Sequence, residues 1–146
     1  MIEFEFIDLE IPGFNSEFFV YSLTDIIKCE RKILGEITVV FCSDDYLLDV
    51  NKQYLDHDYF TDIITFDYSE GLVMSGDLFI SYDRVLDNAN TFNVEILTEL
   101  SRVIFHGVLH LCGYKDKSDM DVILMRDKEN FYLDRFVSRE TNQTKE

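Results

Sequence analysis

The stretch at 94–112 constrains this chain more than any other, because its second half has no polar face. At about 100° per residue, Leu97, Leu100, Ile104, Val108 and Leu111 share one narrow stripe of a helix. Glu99 and Arg102 lie opposite that stripe in the first half. Val103, Phe105, Leu109 and Cys112 close the remaining faces in the second. A helix that is apolar nearly all round runs through the middle of a domain. Two imidazoles, His106 and His110, stand in that setting, about 40° apart on the side away from the stripe.

Spacing of i, i+4 puts both rings on one helix face, within reach of a single ion. Gly113 follows three residues after His110, where a helix commonly ends on a positive-φ residue. The chain can then reverse and return Asp116. Two neutral nitrogens and one carboxylate leave a fourth position for water, the arrangement of a catalytic rather than a structural zinc. The expectation is one zinc per chain, held by His106, His110 and Asp116. The alternatives are plain: the histidines can be merely packed or solvated, and Asp116 can be a solvated loop residue between Lys115 and Lys117. Cys112 has the wrong phase to join the pair and reads as core filler. His57, among loop aspartates, reads as a surface residue. A zinc peptidase carries Glu directly after its first helix histidine as general base. Here that position is Gly107, which argues against peptidase chemistry.

Elsewhere the patterns are conventional. Residues 2–7 alternate apolar and acidic, as in a half-exposed strand, and 37–42 read as a buried one. Asn15 or Ser16 caps a helix through Phe19, Leu23, Ile26 and Ile27, and Ser43 caps a short helix through Leu47, Leu48, Val50 and Tyr54. A loop at 56–60 leads to strands at 62–68 and 76–81. Ser81 caps a helix at 82–91. The helix at 94–112 is expected to be the longest, and Ser118, with Asp121 three residues on, opens the last. The order β-α-β-α-β-β-α-α-α gives an α+β fold: a single domain at 1–138, with about four strands in a small mixed sheet and about five helices, and a polar tail at 139–146.

Net charge is −16, which repels nucleic acid and anionic membrane at long range. The exception is the window at 102–117, where Arg102, Lys115 and Lys117 stand against Asp116 alone, a net of +2. The acidic, alternating N-terminus does not read as a signal peptide, and no apolar run is long enough to span a bilayer. Three widely spaced cysteines, Cys29, Cys42 and Cys112, suit a reducing compartment better than a disulfide framework. The expectation is a cytoplasmic protein with no membrane partner.

The segment HGVLHLCGYKD resembles the signature H-G-x-L-H-L-x-G-Y-D-H of the YbeY family, matching at His106, Gly107, Leu109, His110, Leu111, Gly113 and Tyr114. Asn51 to Tyr54 with Asp58, Thr61, Asp62 and Phe66 is similar to that family's L-N-x-x-Y-R…D-x-P-T-D-V-L-S-F block, and 76–81 to its G-D-I-x-I-S strand. The resemblance implies a zinc-dependent, single-strand endoribonuclease of ribosomal RNA maturation and ribosome quality control, with zinc-bound water as nucleophile. Its partners would be ribosomal RNA and ribosomal particles or proteins. It also implies that the 58–62 loop and the 76–81 strand frame the cleft. Three positions depart from the pattern: Asp116 replaces the third zinc histidine, Lys115 the acid before it, and Leu55 an arginine that acts on phosphate. A phosphodiester transition state needs a cation near its oxygens. Lys115, Lys117 and Arg102 are the candidates to supply it as catalytic residues. The rival readings are a metallohydrolase with another substrate and a non-catalytic, zinc-containing ribosome assembly factor.

Overall fold

The structure, a computed structural model, describes residues 1–145, with side-chain environments through residue 137. The elements follow as β1 (Ile2–Phe6), α1 (Ser16–Cys29), β2 (Ile33–Cys42), α2 (Asp44–Leu55), β3 (Ile63–Asp67), β4 (Val73–Ser81), α3 (Tyr82–Thr91), α4 (Ile96–Leu111) and α5 (Asp119–Lys145). This is the expected α+β domain. The four strands form one mixed sheet in the order β1-β2-β4-β3. β1 and β2 are parallel, as are β2 and β4, while β3 runs antiparallel along the β4 edge.

Strand parity divides the apolar residues between the two faces of the sheet. Ile37, Val39 and Phe41 of β2 and Leu78 and Ile80 of β4 join α1, α4 and α5 in the main core. Cys42, Ile64, Phe66 and Phe79 point the other way and make a smaller cluster under Leu47 and Val50 of α2. Helix α4 lies in the main core as its all-round apolarity requires. Leu100, Ile104, Val108 and Leu111 are buried, and so are Val103, Phe105, Leu109 and Cys112. Burial pushes the Cys112 thiol up to about 12, so it behaves as filler. Gly107 is where α4 meets the sheet: a Cβ there would come within 2.8 Å of Ile63 Cδ1 and 3.0 Å of Leu78.

Several features differ from expectation, among them the start of β4, which lies at Val73 rather than at 76. β2 begins at Ile33 rather than at 37, because the strand crosses an irregularity between Leu34 and Ile37 that hides its alternation. Helix α4 starts at Ile96, since Asn93 turns to positive φ and the Val94 amide closes the end of α3 on the Ala89 carbonyl. The longest helix is α5, with 27 residues against 16 in α4. Its start is the expected capping box. The Ser118 Oγ accepts from the Asp121 amide at 3.1 Å, and the Asp121 carboxylate accepts from the Ser118 amide at 3.4 Å. The polar tail expected at 139–146 falls on residues whose side chains lie outside the described ones.

Candidate metal centre

His106 and His110 project from one face of α4 with ring centroids 4.5 Å apart and planes at 85°. Gly113, at φ 106, ends the helix and turns the chain. That turn returns Asp116 to the ring edges. Its Oδ2 lies 3.3 Å from His110 Nε2 and 3.5 Å from His106 Nε2. Ligand atoms of the three residues all lie within 4.8 Å of one another, so the group could hold a metal ion.

The far side of each ring shows how well the donors suit an ion. His110 Nδ1 is 2.8 Å from the Tyr114 carbonyl oxygen, which can only accept. Nδ1 is therefore the protonated nitrogen, and in the neutral ring Nε2 keeps its lone pair. His106 Nδ1 is 2.8 Å from Glu129 Oε2 in the same sense. Both Nε2 atoms thus face the Asp116 carboxylate while both Nδ1 atoms are held from behind. A helix face of metal-ligating histidines needs this arrangement, and outer partners of this type orient the ring and raise its basicity.

Glu129, on α5, is only 5% exposed. Burial alone would raise its carboxyl, but the hydrogen bonds from His106 and Arg102 outweigh burial and hold it below the ordinary value. Burial opposes charge on His106 as well, and Glu129, Asp62 and Asp116 overcome it, leaving the imidazole more basic than usual. Asp62, beside His106, is raised, chiefly by burial. The His106 ring and Asp116 line a cleft of about 630 Å³ between α3, α4 and α5.

The three candidate cations separate. Arg102 lines the cleft, but Nη1 is bonded to Glu129 Oε1 at 2.9 Å and Nη2 to Asn130 Oδ1 at 3.1 Å. Lys115 lines a different hollow with Glu30 and Asp121. Lys117 is exposed on the loop that carries Asp116. Of the 58–62 loop, Asp62 reaches the cleft. The buried Asn51 holds this loop with a hydrogen bond from Nδ2 to the Tyr59 carbonyl at 2.9 Å. The 76–81 strand does not line the cleft but supports α4 from beneath, with Leu78 under Gly107 and Gly76 under Leu111. His57 is exposed and hydrogen-bonded to Tyr59 at 3.0 Å, a surface residue as expected. Sequence reasoning missed Glu129 and the wall formed by Asn88, Phe92 and Arg126. The i, i+3 spacing of Arg126 and Glu129 was the available signal, but nothing in it says which element the pair faces.

Fold and site together define a small α+β domain with a group of side chains at the end of its central helix that could hold a metal ion. A family model described as Endoribonuclease YbeY matches residues 13–137, and the chain belongs to that family. An Endoribonuclease YbeY of Flavobacterium psychrophilum is 50% identical over 137 residues, covering 93% of this chain and 96% of the relative. The Endoribonuclease YbeY of Bacteroides thetaiotaomicron is 56% identical over 99 residues, or 68% of this chain and 72% of its own. The solution structure of a Thermotoga maritima protein, 27% identical, has a TM-score of 0.69 and covers 98% of this chain and 93% of that one.

Proposed function

We propose that this chain is a zinc-dependent endoribonuclease that hydrolyses single-stranded RNA during ribosomal RNA maturation in the cytoplasm, with a part in ribosome quality control. The observation that supports it best is the convergence of two Nε2 atoms and a carboxylate, each ring held from behind at Nδ1. His106, His110 and Asp116 would hold the ion, an N,N,O set suited to zinc with room for a further ligand. Such an ion supplies Lewis acidity, making water nucleophilic at neutral pH and polarising a phosphoryl oxygen.

The chain's own residues do the rest. Glu129 and the Tyr114 carbonyl fix the ring orientations, so the ligand atoms need little reorganisation. Arg102 acts through Glu129 as a positioning residue, because both of its terminal nitrogens are engaged there and at Asn130. Lys115 and Lys117 flank Asp116 and add positive potential to an otherwise acidic surface. With a net charge of −16, the isolated protein should bind naked RNA weakly and in a salt-sensitive way. Basic ribosomal proteins would find the same surface attractive, so ribosomal particles are the proposed partners.

The test is elemental analysis of the purified protein, followed by assay on precursor ribosomal RNA with and without a chelator. About one zinc per chain and cleavage that stops on chelation and returns with zinc are expected. Protein that holds zinc but leaves RNA intact would shift the reading to a metallohydrolase of another substrate or to a non-catalytic assembly factor.

A further inference from the structure

The cleft beside the metal ligands contains two groups that the centre itself does not use. Its lining includes Arg126 of α5 and Phe92 at the C-terminal cap of α3. Arg126 is 59% exposed, and its Nη1 lies 3.5 Å from Glu129 Oε1, an oxygen that Arg102 already holds at 2.9 Å. That long contact leaves donors of the planar fork available on an exposed side chain that lines the cleft. Phe92 is 62% exposed, a large ring kept in solvent, while its backbone amide is fixed to the Asn88 carbonyl at 2.9 Å.

The charge of the cleft explains why this arginine matters. Asp62, Glu99, Asp116 and Glu129 line it against Arg102 and Arg126, and Arg102 is committed to Glu129. Among the described residues that line the cleft, Arg126 is therefore the cation left for an entering phosphate. Leu55 lies elsewhere, at the exposed end of α2. A fork-shaped guanidinium recognises phosphate, and an exposed aromatic face recognises any unstacked base. Together, beside metal ligands, they fit one nucleotide of a flexible strand. A duplex keeps its bases stacked and cannot offer a base face to Phe92.

We infer that Arg126 binds a phosphate, and Phe92 stacks a base, of single-stranded RNA lying across the metal centre. This rests on the nuclease reading above. The experiment uses zinc-loaded wild type, Arg126→Ala, Arg126→Lys, Phe92→Ala and Phe92→Tyr, with a short labelled single-stranded oligoribonucleotide over a series of salt concentrations. Arg126→Ala should raise KM about tenfold and flatten log(kcat/KM) against log salt by about 0.7, one single-strand phosphate contact. Arg126→Lys should restore the salt slope but only part of KM. Phe92→Ala should raise KM about tenfold with the salt slope unchanged, and Phe92→Tyr should restore it. An unchanged slope in Arg126→Ala, or a wild-type KM in Phe92→Ala, overturns the inference while wild-type cleavage keeps the nuclease reading. Loss of zinc in Arg126→Ala overturns it too, since the residue would then act through Glu129. Wild-type protein that leaves the oligoribonucleotide intact removes both readings.

Discussion

Two glutamates flank the end of α4, the buried Glu129 on the cleft side and the half-buried Glu30 behind the turn at Gly113, and they are used differently. Glu129 accepts from His106 Nδ1 and from Arg102. Glu30, at the end of α1, accepts from the Tyr114 hydroxyl at 2.5 Å, from Lys128 at 3.2 Å and from the Tyr132 hydroxyl. Both carboxyls are held below their ordinary value because hydrogen bonds outweigh burial. Each also reaches a histidine of the candidate metal group. Glu129 does so directly and with its charge. Glu30 anchors the side chain of Tyr114, whose backbone carbonyl accepts from His110. One carboxylate tunes a ring and the other fastens α1, α5 and the turn together. The same pKa direction therefore marks a candidate site residue in one place and a structural tie in the other. What separates them is the identity of the nearest donor.

The sharpest test of where the site lies is removal of its third ligand. Asp116→Ala leaves two ring nitrogens and should weaken zinc binding by roughly 100-fold or more, read by titration against a competing chelator. Asp116→His should retain zinc and fold, since either side chain supplies one ligand atom. Equal affinity in wild type and Asp116→Ala would make Asp116 a bystander.

Glu30→Ala should come next in size, and it should act on stability. It strips three donors of a shared, half-buried acceptor and should cost about 2–3 kcal/mol in urea denaturation of chelator-treated protein. Zinc affinity should change by less than about threefold, because the backbone carbonyl at Tyr114 remains. A large loss of zinc with little loss of stability would erase the distinction between the two glutamates.

Glu129→Gln should show the converse. An amide oxygen can still accept from His106, but the charge is gone, so zinc affinity should fall about 10–100-fold. Stability of the metal-free protein should fall less than in Glu30→Ala, since Arg102 lies 23% exposed and water can serve it. A variant with full zinc affinity would show that the ring needs orientation only.

The two regions were not equally legible in the sequence. His106, His110, Gly113 and Asp116 are within eleven positions, so helical periodicity pairs the rings and one helix-ending turn returns Asp116, with ligand atoms of the three side chains within 4.8 Å of one another. Glu129 is 23 residues from His106, and Glu30 is 84 from Tyr114. Those pairs exist only once α5 has packed on α4 and α1 has packed beside both. Sequence spacing also does not show that the adjacent Lys115 and Asp116 line different hollows, Asp116 the cleft and Lys115 the one with Glu30. The helix order was readable from caps and periods. The sheet order was not, because nothing in the strands encodes which edge β3 takes.

The smallest effect is the pH dependence that Glu30 contributes. Its carboxyl is ordinarily near 4.5 and is lowered in the fold. The unfolded chain therefore takes up a proton from Glu30 at a higher pH than the folded one does. Its stabilisation is fully present above about pH 4.5 and is lost as pH falls toward the folded value, at about 1.4 kcal/mol per unit of depression. Glu30→Gln cannot titrate. The gap in urea midpoint between wild type and Glu30→Gln, both free of metal, should be widest at pH 7 and narrower at pH 4. Glu129 titrates in the same direction but is present in both proteins, so to first order it cancels from the gap. A gap that stays constant or widens on acidification would mean that the hydrogen bonds of Tyr114, Tyr132 and Lys128 do not favour the ionised carboxyl. Glu30 would then tie the fold together by shape rather than by charge.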